Sequence, residues 1–153
     1  MKLEKLEWSK PCKEAKFLVD ANIFLEVELG QRKADPCEKV LRRFQHRELE
    51  GIVLDFAVDT IVITMENYGK KWSEIKTFLS SLLGYKGLHI HFSTLLDRIM
   101  AANYMENLGL DFDDALALQA MKENGIGTIV SYDKDFDPVS HVKRILPESL
   151  LQG

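Results

Sequence analysis

The chain has 153 residues, of which 46% are apolar and 29% charged, with a formal net charge of −4. That length suits one domain burying roughly two thirds of the surface its unfolded form exposes. The negative balance excludes a global pull on nucleic acid, so any such binding needs a local basic patch. The charged start contains no apolar signal core. The most apolar stretch, Ile52 to Met65, is broken by Asp55 and Asp59 and is too short to cross a bilayer. Two cysteines, Cys12 and Cys37, form neither a disulfide framework nor a metal pair. A cytoplasmic protein with no membrane partner is the expectation.

In chain order, Lys16 to Val19 reads as a short buried strand, followed by Asp20 and a helix from about Asn22 to Leu29 that stops at Gly30. Asp35-Pro36-Cys37-Glu38 has the features of a helix start: a capping acid, a proline suited to the first position, and a glutamate three residues on. Gly51 ends that helix before a strand, Ile52 to Leu54. Apolar helices follow from Ala57 to Tyr68 and from Ser73 to Leu83, the latter stopped by Gly84. Leu88 to Phe92 alternates as a strand should. Ser93 caps a helix to about Asn107, and Asp111 caps another that ends near Gly125. Ile126 to Val130 is the next buried strand, and His141 to Leu146 adds a last one. Short apolar strands alternating with helices predict an α/β fold, a mainly parallel sheet with helices on both faces. Ligands in such sheets sit beyond the carboxyl ends of the strands, where Asp20 and Asp133 fall.

Several acids occupy unexpected places. On a helix, Asp114 shares its face with Ala117, Leu118 and Met121. An ionised carboxylate there must be paired, hydrogen-bonded or bound to a cation. Glu66 follows Val62 and Ile63 on one face, with Lys70 one turn on as an ion-pair partner; Asp59 shares that face. A single such acid reads most simply as a half-exposed carboxylate at a helix end. Four of them converging would repel one another strongly without a hard cation such as Mg2+ or Mn2+. Asp133-Lys134-Asp135-Phe136-Asp137 is no EF-hand loop, because Pro138 stands at the sixth position and Arg144 at the twelfth.

Four stretches stand in order along the chain: Phe17-Leu18-Val19-Asp20-Ala21-Asn22, Met65-Glu66-Asn67, Asp114-Ala115-Leu116 and Val130-Ser131-Tyr132-Asp133-Lys134-Asp135-Phe136. They resemble, in the same order, the first to fourth motifs of PIN-domain nucleases. The resemblance implies a PIN-like three-layer α/β/α sandwich over residues 16–153, with residues 1–15 as an N-terminal extension. It implies an endoribonuclease that hydrolyses RNA with a metal-activated water, without a covalent enzyme intermediate. Asp20 and Asp114 would be the principal Mg2+ ligands, Mn2+ being an alternative ion. Glu66 and Asp133 would complete the catalytic cluster. Asn22 and Ser131 would orient carboxylates or touch substrate, and Asp135 would stand behind them. Many small members are toxins of the VapC type, held by an antitoxin protein and commonly dimeric.

A competing reading is a non-catalytic PIN module that binds RNA or a protein partner; it predicts lost acids. A small-molecule phosphatase of the haloacid-dehalogenase kind lacks its second aspartate in Asp20-Ala21-Asn22. Lys39, Arg42, Arg43 and His46, flanked by Arg47, form a basic stripe opposite Cys37, Val40, Leu41 and Phe44. It is either a phosphate-binding face or a solvated face opposite a core stripe. His89 and His91 share a strand face, but no matching ligand spacing accompanies them, and they read as structural.

Overall fold

The computed structural model describes residues 15–152. The expected N-terminal extension and Cys12 therefore lie outside the described residues, apart from Ala15. Five strands form one sheet in the order β3-β2-β1-β4-β5: β1 (Phe17–Val19), β2 (Gly51–Leu54), β3 (Leu88–His91), β4 (Thr128–Val130) and β5 (Lys143–Ile145). Every pairing is parallel, with Leu18 opposite Ile52 on one side and Ile129 on the other. The helices are α1 (Ala21–Glu28), α2 (Ala34–Gln45), α3 (Asp55–Asn67), α4 (Trp72–Ser81), α5 (Leu95–Leu108), α6 (Phe112–Glu123) and α7 (Pro147–Leu150).

Successive strand residues point to opposite faces, and that alternation splits the core into two layers. Leu18, Ile52, Leu54 and Ile129 pack with Ala101, Leu116, Ala120 and Met121 from α5 and α6. Val19, Val53 and Val130 pack with Ile23, Val40, Phe44, Ile61 and Phe78 from α1 to α4. The result is a sheet between two helical layers, as the sequence predicts. Because β1 lies between β2 and β4, the chain turns opposite ways after β1 and after β4. A crevice opens at that switch point, at the carboxyl ends of the two strands.

Local differences from the expected elements have identifiable causes. Thr94, not Ser93, caps α5: its hydroxyl accepts from the Asp97 N–H while Asp97 accepts from the Thr94 N–H, a reciprocal capping box. Helix α2 begins at Ala34, so Pro36 stands third in it, where the first turn still lacks internal N–H partners. Helix α3 starts at Asp55, directly after β2.

One glycine is required by close approach rather than by backbone angle. Gly87 donates to the Phe44 carbonyl at 2.8 Å and accepts from the Gly51 N–H at 2.8 Å, tying the end of α2 to the start of β2 and β3. A Cβ at Gly87 would run into the Leu49 carbonyl and come within 2.8 Å of the Phe44 carbonyl, both rigid backbone atoms. Gly87→Ala should therefore cost about 2–4 kcal/mol, read as a lowered denaturation midpoint in urea, whereas Gly84→Ala, with open space around it, should change it little.

Candidate active site

Asp20 follows β1 and occupies the N-cap position of α1 without capping it. Its carboxylate accepts instead from the Ser131 hydroxyl, Oγ to Oδ2 at 2.7 Å. Ser131 follows β4 and is fully buried. Its Oγ also accepts from the Asp133 N–H at 2.9 Å, which turns the chain so that Asp133 stands beside the Asp20 carboxylate. The parallel pairing of Val19 with Val130 sets this geometry, since it brings the two residues after those strands side by side.

Asp113 and Asp114 enter from the first turn of α6. Asp20, Asp113 and Asp114 line one cleft with Ala21 of α1, Ala57 and Thr60 of α3, and Phe136. Asp135 lies on the other side of Asp114: single oxygens of Asp111, Asp114 and Asp135 fall within 4.8 Å of one another. Among the described residues, no lysine or arginine forms an ion pair with Asp20, Asp113, Asp114, Asp133 or Asp135. The nearby arginine, Arg144, is engaged by Asp137 through two hydrogen bonds at 2.8 and 3.2 Å.

The acidities reflect this crowding. Burial pushes the Asp20 carboxyl up; the Ser131 hydroxyl and the Ala21 N–H pull it back in part, and the charges of Asp133 and Asp113 raise it further. Burial also lifts Asp114, with added repulsion from Asp113, Asp133 and Asp135, to about 7. Asp135 is raised chiefly by the charge of Asp133. These carboxylates favour either protons or a cation among them. An all-oxygen donor set of this kind fits a hard divalent ion, so the residues suit Mg2+ or Mn2+.

Not every expected residue arrives. Glu66 is exposed near the end of α3 and does not line the cleft. The same helix presents Ala57 and Thr60 there; Glu66 is six residues beyond Thr60, about 9 Å along the axis and roughly 240° around it. Glu66, expected to complete the cluster, therefore stands on another face of α3, nearly two turns beyond Thr60. Asp59 is exposed as well. Asn22 is exposed in the first turn of α1, next to the lining residue Ala21. Asp113, which the sequence does not single out, also lines the cleft. Its sequence signal was weak because the open first turn of a helix lets neighbouring side chains reach one space. Thr60 carried no acid to mark it.

The basic stripe on α2 is internally neutralised. Lys39 pairs with Asp35 at 3.0 Å, Arg42 with Glu38 at 2.9 Å, Arg43 with Glu48 at 3.1 Å and Arg47 with Glu50 at 3.1 Å. This is the solvated face of a helix whose other side is core.

Comparison with known proteins agrees with this fold. A search of curated proteins finds no match. Among solved structures, the Mycobacterium tuberculosis toxin VapC20, described as cleaving the sarcin-ricin loop, is similar with a TM-score of 0.67 at 13% identity, over 84% of this chain and 98% of that one. A toxin–antitoxin complex from Klebsiella pneumoniae gives 0.64 at 13% identity, over 86% and 98%. VapBC2 from Rickettsia felis, bound to a DNA fragment from its promoter, gives 0.63 at 13% identity, over 85% and 97%. At these identities the likeness is one of fold. The PIN domain family model matches residues 17–142, from the first strand to just before the last, and the chain belongs to the PIN domain family.

Proposed function

We propose that this chain is a metal-dependent endoribonuclease that hydrolyses phosphodiester bonds of RNA and serves as the toxin of a toxin–antitoxin pair. The observation that carries the reading is the meeting of Asp20, Asp113, Asp114 and Asp133 at the sheet's switch point with no lysine or arginine ion-paired to them among the described residues. Membership of the PIN family and the fold shared with VapC toxins support it. Asp20 and Asp114 would hold the ion, with Asp133 and Asp113 beside them. When bound, Mg2+ or Mn2+ would neutralise the cluster, bind the phosphate and make a water more acidic. The residues do the rest: Ser131 fixes Asp20 through one oxygen, leaving the other for the ion. Phe136, Ala57 and Ala117 give the cleft an apolar wall that strengthens its electrostatics. Retention of the acids counts against a non-catalytic module.

An antitoxin and a second copy of the chain are the proposed partners. On α5 and the turn before it, Phe92, Leu95, Leu96 and Ile99 are each more than half exposed and present large apolar side chains to water. This face supports a homodimer.

Cleavage of labelled RNA should require Mg2+ or Mn2+ and stop with EDTA. Asp20→Asn with Asp114→Asn should lower the rate at least ~100-fold, equivalent to about 3 kcal/mol, without loss of folded circular dichroism. Glu66→Gln should cut at close to the parent rate. Cleavage that persists through both EDTA and the double substitution would overturn the reading.

Without metal, the raised acidity constant of Asp114 makes a pH signature. The folded state holds its proton up to about 7 and the unfolded chain only to about 3.8, so the stability tied to this proton is lost as pH rises between those values. Asp114→Asn should therefore raise the metal-free melting temperature at pH 8 by a few degrees, about 1 kcal/mol after solvent screening, with no gain at pH 4. In light scattering, Leu95→Glu combined with Ile99→Glu should convert a dimer of the chain to a monomer.

A further inference from the structure

A second cluster of ligating side chains lies outside the acidic cleft. His91 ends β3, Asp97 stands in the first turn of α5, and Glu123 is the last residue of α6. One ligand atom from each falls within 4.8 Å of the others. The His91 side chain is only 10% exposed, and its Nε2 is buried with no hydrogen-bond partner among the described residues. That nitrogen faces Glu123 Oε2 at 3.6 Å. Asn124 Oδ1, on the amide that meets His91 Nδ1, is likewise buried without a partner among the described residues. A buried imidazole nitrogen left unpartnered beside two carboxylates is costly unless something fills the space between them.

We propose that His91, Asp97 and Glu123 form a second metal site, selective for a borderline divalent ion of the zinc class. An imidazole with two carboxylates is a donor set suited to Zn2+, whereas the all-carboxylate cleft suits Mg2+. Zinc ligands about 2.1 Å from the ion lie about 3.4 Å from one another in a tetrahedron, close to the 3.6 Å between His91 Nε2 and Glu123 Oε2. Glu123 is exposed and free to close the remaining gap by rotating, while Asp97 is fixed by the Thr94 N–H at 2.8 Å and the Gln119 amide at 3.2 Å.

The metal-bound form also assigns a task to Asn124. Its Nδ2 lies 3.1 Å from His91 Nδ1 and 2.8 Å from the Ala120 carbonyl, so the amide donates to both and the ring proton sits on Nε2. For Nε2 to hold an ion, that proton moves to Nδ1, and Asn124 turns its partnerless Oδ1 to accept it, giving up Ala120. No net proton is released. The ion would tie β3, α5 and α6 together about 14 Å along α6 from Asp114, a structural role independent of the nuclease reading.

The test uses the chelator-stripped full chain carrying Asp20→Asn and Asp114→Asn, which removes the cleft's two principal acids, titrated with Zn2+ alone. The expected result is one equivalent bound and a melting temperature raised by several degrees. Glu123→Gln, an exposed and fold-neutral change, and His91→Gln should each weaken binding at least tenfold. Asn124→Asp should tighten it about tenfold, by giving Nδ1–H a carboxylate acceptor. Zinc affinity unchanged by Glu123→Gln and His91→Gln, or no uptake at micromolar free Zn2+, would overturn the proposal.

Discussion

The site depends on one hydrogen bond between residues far apart in sequence, from the buried Ser131 hydroxyl to the Asp20 carboxylate. Two parallel central strands bring their ends together, and the hydroxyl then performs two tasks. It holds the first acid at 2.7 Å and, by accepting the Asp133 N–H, it steers the second toward the same space. Helix α6 presents Asp113 and Asp114 from the opposite side. Backbone geometry, rather than ion pairing, therefore enforces the crowding of like charges. The energetic penalty of that arrangement is what makes the cleft an attractive berth for a cation.

The structure handles charge differently in its two halves. Along α2, each of the four arginines and lysines of the stripe has an acid within reach, and the face is balanced to neutrality. At the sheet's carboxyl edge the acids are left unbalanced, and Asp114 retains its proton up to about 7. Exposed pairs like those on α2 contribute little to stability individually. Their consequence lies in the charge: each cation of the stripe already has an acid beside it.

Much of the fold was legible because its signals are local. Short apolar runs bounded by glycine and by capping residues marked all five strands, and the alternation of Leu18 with Val19 or Ile129 with Val130 already implied a sheet covered on both faces. Asp20, Asp114 and Asp133 could be singled out because each sat where an isolated acid is costly. Glu66 stands apart from the cleft for a geometric reason. An apolar helix with acids at several positions gives no indication from periodicity of which turn meets the sheet end, and that turn proved to be the one with Ala57 and Thr60. His91 was read as structural because its partners come from helices that begin and end well downstream, a relation that no spacing along the chain encodes.

The order of strands carries a consequence for synthesis. The central strand is the first of the described strands in chain order, yet its partner on one side spans residues 128–130, more than a hundred positions later. Such long-range pairing delays folding. On the ribosome, the Asp20 carboxylate must wait without its serine and without the acids of α6 until most of the polypeptide has emerged. In a nascent chain of this kind the acidic cluster therefore assembles late, when the last of its elements joins the sheet.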